Sequence, residues 1–265
     1  MTERLLFNPS NYYFNYNAII PAFTALILLT ISAYVLLKEK KDTVSISFIS
    51  YLLSKTIWLS GMAVIYSTQS YLVAETIFKY YVFFGVAIVS PTFYIFTSSL
   101  LNLQKRWLFV LINYIIAITF FIINLRTNYL FIGIKEYSYG YYPILNTPVS
   151  YIFLLYYFGN VFMSFKNLIT RFNRIWTEER ERIKDIVIGF IIFNICCIDY
   201  LPAYGIEIYP YSFIFLIIGL TYLFNTRPWS GVKEEALLEQ KEEEEYIFIF
   251  ENNIDKLTAE QYSGT

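Results

Sequence analysis

Long apolar runs alternate with short polar segments along the chain. An α-helix rises 1.5 Å per residue, so about 19 residues cover about 28 Å, close to the thickness of a bilayer's hydrocarbon core. Each apolar run is long enough, or nearly long enough, to cross that core. The pattern therefore predicts an all-α, polytopic membrane bundle of seven transmembrane helices, at residues 19–37, 44–66, 71–101, 107–125, 149–165, 186–204 and 208–226.

Proline, glycine and paired charges mark irregular points within these spans. Pro91 lies inside the third span, where the missing backbone N–H predicts a kink. Near the start of that span, Glu75 and Lys79 are four residues apart and are predicted to pair on one helix face. Between the last two spans, helix-breaking residues predict a turn, at Pro202, Gly205 and Pro210.

Lysine and arginine are concentrated in the connections on one side of the predicted bundle. With the amino terminus outside, thirteen of them lie in or next to cytoplasmic segments, against three in outside segments. Cytoplasmic connections of membrane proteins carry such an excess of positive charge. The distribution predicts an extracytoplasmic amino terminus and a cytoplasmic carboxyl terminus.

Two segments lie outside the predicted membrane domain of residues 17–226, and a third forms its longest outer loop. Residues 1–16 are predicted to be extracytoplasmic. Residues 126–148, rich in Tyr, Gly and Asn, predict an ordered extramembrane or interfacial loop. Residues 227–265 are charged and largely acidic, and predict a cytoplasmic tail.

The composition agrees with a membrane protein and argues against catalysis. Of the 265 residues, 57% are hydrophobic and 15% are charged, whereas soluble domains carry about 25% charged residues. The chain has no His, which excludes imidazole metal ligands, Ser-His or Cys-His nucleophiles and a phospho-accepting His. The adjacent Cys196 and Cys197 are interpreted as reduced, packed side chains. We expect no enzymatic activity, no metal, no cofactor and no nucleic-acid partner.

Charged residues at membrane depth are the candidate functional residues. A central Asp or Lys costs roughly 2.5 to 3.5 kcal/mol, so such residues normally face the bundle interior and pair. Asp199 lies about 9 Å below the outer end of its span, and Lys79 lies about 12 Å below the same side. Lys55 lies near mid-membrane, and its long side chain can extend toward that level. Asp199 can therefore pair with either lysine.

Two interpretations of these charges stay open. In the functional one, they form a polar pocket that opens outward, made by Asp199, Lys79, Lys55, Glu75, Tyr204 and Glu207. In the structural one, an ion pair fixes the packing of the helices and binds no ligand.

Short motifs in the spans resemble a known family. They are Asn8-Pro9-Ser10, Ile20-Pro21-Ala22, Ser90-Pro91 and residues 199–210 (DYLPAYGIEIYP). Their order and the topology resemble the amino-terminal seven-helix region of bacterial sensor histidine kinases over residues 8–226. The last motif is similar to the turn between the last two helices of that region. The resemblance implies a signal-input module, whose kinase or other output domain follows inside the cell.

The chain departs from that family after Thr226. No room for a kinase follows, and without His there is no phospho-acceptor. Residues 239–255 are weakly similar to the first helix of a PAS sensor domain, with ten residues after them. These features predict an input module that lacks its kinase, either truncated or acting through a separate protein.

We therefore expect a sensor domain of the inner or plasma membrane, without its own catalytic output, in a two-component type of signal transduction. Its expected partners are the lipid bilayer and either a separate cytoplasmic signalling protein or a second copy of the chain through self-association. The alternatives are a small membrane transporter component and a membrane scaffold subunit. A continuous polar path through the bundle favours transport, and a closed apolar core favours sensing.

Overall fold

The computed structural model describes residues 6–103, 107–172, 179–208 and 211–226. Its α-helices are α1 (Ile19–Lys38), α2 (Thr43–Tyr66), α3 (Tyr71–Ile77), α4 (Phe83–Leu100), α5 (Trp107–Arg126), α6 (Pro148–Phe172), α7 (Glu179–Asn194) and α8 (Phe213–Thr226). Two strands, β1 (Gly133–Tyr137) and β2 (Gly140–Ile144), form a hairpin between α5 and α6. The predicted cytoplasmic tail and Pro210 lie outside the described residues.

Within the described part of the chain, six helical stretches are long and apolar enough to cross a membrane. They are Tyr16–Lys38, Thr43–Tyr66, Tyr71–Leu100, Trp107–Arg126, Pro148–Thr170 and Arg180–Tyr204. The prediction of a helical, multi-pass membrane bundle is confirmed at this level. The seventh predicted span contains α8, whose 14 residues are fewer than the roughly 20 of a full crossing.

The helices surround a central pair, α2 and α4, that is buried along most of its length. α1 packs on α2, α5 and α6 pack on α4, and α7 and α8 close the ring between α6 and α1. The outer faces are apolar: on α5, four side chains are each about half exposed, namely Leu111, Ile115, Ile118 and Ile122. An apolar exterior over helices of this length suits a lipid environment.

The third predicted span is continuous but contains an irregular turn. A π-helical turn at Phe78–Val82 joins α3 to α4. The Asn124 side-chain amide, on α5, donates a hydrogen bond of 3.1 Å to the Lys79 carbonyl within this turn. α4 continues through Pro91, which is fully buried. The π-helical turn therefore lies about ten residues before Pro91, where the kink was predicted.

The β-hairpin is the part of the fold that an all-α prediction omits. Its strands are antiparallel and pair Glu136 with Tyr141 and Tyr137 with Gly140. Gly140 has a φ of +126°, which favours glycine, and its backbone lies against Tyr66 at the end of α2. The ordered loop predicted for this region is thus a hairpin packed on the bundle end.

The sixth predicted span changes its geometry halfway. α7 ends at Asn194, and a 3₁₀-helix, Ile195–Tyr204, carries the chain to Gly205. Gly205 is left-handed, with a φ of +89°, and its N–H bonds the Pro202 carbonyl at 3.1 Å. The N–H of Ile206 bonds the Leu201 carbonyl at 3.3 Å. These two bonds form a Schellman motif, which ends the helix close to the predicted turn.

Several chain segments meet at one end of the bundle. We define the cap as residues 8–16, 67–70 and 127–147, which connect the spans at that end. The buried Asn15 side chain holds these segments together by donating to the Tyr66 carbonyl at 2.6 Å and to the Tyr139 carbonyl at 2.9 Å.

Candidate functional site

Of the predicted charged residues, the structure brings Glu75 and Lys79 together. Lys79 pairs with Glu75 at 3.0 Å, and its ammonium lies 5.3 Å from the centre of the Phe131 ring. Tyr204 donates a hydrogen bond of 3.4 Å to the Ser150 carbonyl, and Glu207 is exposed. Lys79 is therefore held by its own helix and by the cap, and a single polar pocket that contains all six predicted residues stays a prediction.

Asp199 is buried in the 3₁₀-helix and has no ion pair among the described residues. It is 1% exposed, and neither carboxylate oxygen makes a hydrogen bond of regular geometry. The Ser212 side chain and the amides of Ser212 and Phe213, at the start of α8, interact electrostatically with the carboxylate. Its backbone carbonyl accepts a short hydrogen bond from the Tyr142 hydroxyl, on β2. Asp199 thus contacts both the cap and the last helix.

Lys55 is fully buried on α2 and faces sulfur and aromatic rings rather than a carboxylate. Its ammonium lies 3.4 Å from the Cys196 sulfur. It lies 4.5 Å from the centre of the Phe193 ring, 5.5 Å from Tyr51 and 5.9 Å from Trp58. Cation–π attraction is largest when such a group is desolvated. The rings therefore stabilise the lysine where an ion pair was predicted.

Three further side chains, Cys197, Tyr157 and Tyr200, join Lys55, Cys196 and Asp199 in what we call the core cluster. The Tyr157 hydroxyl lies 3.7 Å from the Cys197 sulfur, and the Tyr157 and Tyr200 rings are 6.0 Å apart. Trp58 packs on Tyr200 at 5.3 Å. Residues i and i+3 eclipse one another in a 3₁₀-helix, which places Cys196 and Asp199 on one face. Sequence reasoning missed Cys196 as a neighbour of Asp199, although residues three apart also lie on one face of an α-helix.

A small apolar cavity lies between α2, α4, β2 and the 3₁₀-helix. It has a volume of about 10 Å³, and its lining includes Trp58, Phe83, Tyr142 and Tyr200. A volume of that size holds at most about one water molecule. In the described residues, this cavity offers no passage for a solute.

The cap is hydrogen-bonded to the 3₁₀-helix at three points. Tyr142 contacts the Asp199 carbonyl, Tyr137 donates to the Pro202 carbonyl at 3.0 Å, and the Leu145 amide donates to the Ala203 carbonyl at 2.8 Å. A shift of the hairpin would therefore act directly on the backbone of the 3₁₀-helix.

No protein-family model, curated protein or solved structure matches this chain. The resemblance to the input region of sensor histidine kinases stays a prediction from short motifs.

Lys55→Met is expected to leave the stability of the protein within about 1 kcal/mol of the parent, or to raise it. Methionine has a similar length and fills the same aromatic surroundings without a buried charge. Thermal unfolding in one detergent measures the effect. Lys55→Ala is the control, which leaves a gap and should be less stable than Lys55→Met. A marked loss in Lys55→Met would show that the ammonium itself holds the core cluster together.

Proposed function

We propose that the chain is a membrane-embedded signal-input domain, a sensor without its own catalytic output. In this proposal α8 belongs to a seventh transmembrane span, the amino terminus lies outside and the carboxyl terminus is cytoplasmic. The excess of Lys and Arg in the connections opposite the cap supports that orientation. The cap is then the surface that meets the external stimulus.

The observation that carries the proposal is the hydrogen bond from the Tyr142 hydroxyl to the Asp199 carbonyl. It joins an extramembrane hairpin to a buried, charged residue of the bundle. The Asp199 carboxylate in turn interacts with Ser212 and Phe213, which open the last helix. A path of direct contacts therefore runs from the outer cap to α8.

The 3₁₀-helix can convert a small shift of the cap into a movement along the bundle. Its ten residues span about 20 Å at 2.0 Å per residue, and would span about 15 Å as an α-helix. A change between these two states displaces one end relative to the other by about 5 Å. The Asp199 carboxylate lies within this segment, is buried and has no ion pair among the described residues. Its surroundings would differ between the 3₁₀-helical and α-helical states, which favours a two-state element.

α7 and α8 are packed closely enough to pass on this movement. A Cβ atom at Gly219 would lie 2.7 Å from the Phe193 amide nitrogen and 2.9 Å from the Gly189 carbonyl oxygen. Helices in such backbone contact move together rather than independently. The end of α8 leads to the segment in which a signalling partner would read the signal.

The small size of the cavity beside the hairpin favours sensing over transport. A transporter needs a site and a path at membrane depth. The cavity beside Tyr200 and Trp58 has a volume of about 10 Å³ and an apolar lining. The buried charges are enclosed by rings and sulfur instead of lining a channel.

A fused reporter tests the proposal. We expect Tyr142→Phe to change the autophosphorylation of a sensor-kinase core fused after residue 265 by several-fold, since the variant loses the hydrogen bond to Asp199. The control is Tyr129→Phe, a tyrosine of the same loop that is 71% exposed, which should match the parent. Phosphorylation that is the same in both variants and the parent, in reconstituted vesicles, contradicts the proposal.

A further inference from the structure

A polar cleft lies on the cap, away from the core cluster. It has a volume of about 160 Å³ and is lined by Tyr13, Thr68, Gln69, Glu136, Gly140 and Tyr141. These residues come from three separate parts of the chain: the amino-terminal segment, the turn between α2 and α3, and the hairpin. The cleft exists only when the cap is assembled.

Hydrogen bonds hold the walls of the cleft in place. The Tyr13 amide donates to the Ser67 carbonyl at 2.9 Å, and the Gln69 amide donates to the Asn11 carbonyl at 2.9 Å. The Tyr141 hydroxyl donates to the Gln69 carbonyl at 3.3 Å, across from the hairpin. Two backbone hydrogen bonds and one from a tyrosine hydroxyl therefore join the walls to one another.

Glu136 is the charged residue of the cleft, and no cation among the described residues neutralises it there. Its neighbour Lys135 faces the other side of the strand, because successive side chains alternate. The Lys135 ammonium lies 4.6 Å from the centre of the Tyr137 ring. The cleft lining contains neither Lys nor Arg.

The electrostatics of the lining agree with a negative site. Burial, then the charge of Glu136 and then Tyr13 raise the pKa of Tyr141. The three groups therefore act on one another across the cleft. An anion would meet the same repulsion, whereas a cation would relieve it.

We propose that this cleft binds a small organic ammonium ion, as the external ligand of the proposed sensor function on which this inference rests. The Glu136 carboxylate supplies the opposite charge. The rings of Tyr13 and Tyr141 supply aromatic surface of the kind that attracts an ammonium group.

The cleft and the proposed signalling path meet at two neighbouring residues of β2. Tyr141 and Tyr142 are consecutive in β2 and project to opposite faces of the hairpin. Tyr141 lines the cleft, while Tyr142 contacts the Asp199 carbonyl. A ligand that draws Glu136 and Tyr141 toward the amino-terminal segment thus moves the strand that holds Tyr142.

Calorimetric titration of the full chain in lipid nanodiscs with choline chloride tests the site. Choline should bind the parent and Glu181→Gln, a control that removes an exposed acid of α7 outside the cleft. Glu136→Gln should weaken binding by about tenfold or more, equivalent to about 1.4 kcal/mol. The neutral isostere 3,3-dimethylbutan-1-ol should show no saturable binding, since it has the shape of choline without its charge.

Absence of saturable choline binding to the parent overturns the inference, and so does equal affinity in Glu136→Gln and Glu181→Gln. Equal binding of the neutral isostere overturns the part played by charge. The titration uses no kinase core. A failed reporter with intact binding therefore counts against the signalling proposal alone, and failed binding with a responsive reporter counts against the cleft alone.

Discussion

Gly85→Leu is expected to destabilise the bundle by about 3 kcal/mol or more, at the upper end of overpacking effects. A Cβ atom at this position would lie 2.7 Å from the Trp58 amide nitrogen and 2.8 Å from the Ser54 carbonyl oxygen. Both are backbone atoms of α2, which cannot rotate away as a side chain can. Any side chain at residue 85 therefore forces apart the two central helices.

The matched control is Gly159→Leu on α6. Nothing lies within 4 Å of a Cβ atom at Gly159, and the residue is exposed. Leucine is the better helix former by roughly 0.5 to 1 kcal/mol, so this variant should be as stable as the parent or more stable. Thermal unfolding in one detergent compares the two. Gly85→Ala should fall between parent and Gly85→Leu. Equal midpoints for Gly85→Leu and Gly159→Leu would contradict backbone contact between α2 and α4.

Close helix contact through glycine is a device of membrane proteins. Lipid tails are as apolar as leucine, so burial of apolar surface drives helix association less than it does in water. Small residues permit backbone approach and dense packing instead. Gly85 serves this role between α2 and α4, and Gly219 serves it between α8 and α7.

The helical spans could be predicted from the sequence because membrane thickness sets one length for each of them. The apolar runs near Ile19–Lys38 and Trp107–Arg126 match helices within about two residues at each end. The contact between Glu75 and Lys79 also follows from local spacing, and the structure contains it at 3.0 Å. Features of this kind depend only on residues close in sequence.

The partners of the buried charges could not be predicted in the same way. Counting residues from the ends of the spans places Asp199 and Lys79 at similar depths in the membrane. It does not tell which side of each helix faces the core. Lys55 meets Cys196, 141 residues later in the chain, in the 3₁₀-helix that begins at Ile195. A contact between residues so far apart depends on how the helices pack, which local spacing does not show.

The hairpin had a weaker but readable signal. Five-residue stretches on either side of Ser138-Tyr139 pair as strands, and Gly140 supplies the left-handed backbone beside the turn. Tyrosine is enriched in strands. The same tyrosines also suit a membrane interface, so composition alone did not separate a strand from an interfacial loop.

Asp199→Asn is expected to raise the free energy of unfolding by about 1 to 3 kcal/mol while it disables the output of a fused reporter. The residue is 1% exposed and has no ion pair among the described residues. An ionised carboxylate in such surroundings costs several kcal/mol. Asparagine keeps an oxygen that can accept from the Ser212 and Phe213 amides but removes the charge. Thermal unfolding and reporter phosphorylation of the same preparation measure both effects.

Asp199→Ala separates the charge from the acceptor. It removes both, so it should be less stable than Asp199→Asn by about 1 kcal/mol, the usual contribution of a polar side chain at a helix start. An Asp199→Asn variant that is less stable than the parent would show that the charge itself has a favourable partner. That outcome would support the predicted ion pair between Asp199 and a lysine at a similar depth in the membrane.

A double-mutant cycle identifies that partner or excludes it. Lys55 is the buried cation beside Cys196, three residues before Asp199. If the two charges act independently, the effects of Asp199→Asn and Lys55→Met add within about 0.5 kcal/mol. We expect this additivity, because the Lys55 ammonium is held by the Phe193, Tyr51 and Trp58 rings and by sulfur. A larger coupling energy would mean that the Asp199 charge pairs with Lys55 and stabilises the packing of the helices. Additivity would mean that the Asp199 charge lowers the stability of the bundle. A signalling element can bear that cost because it must adopt two states.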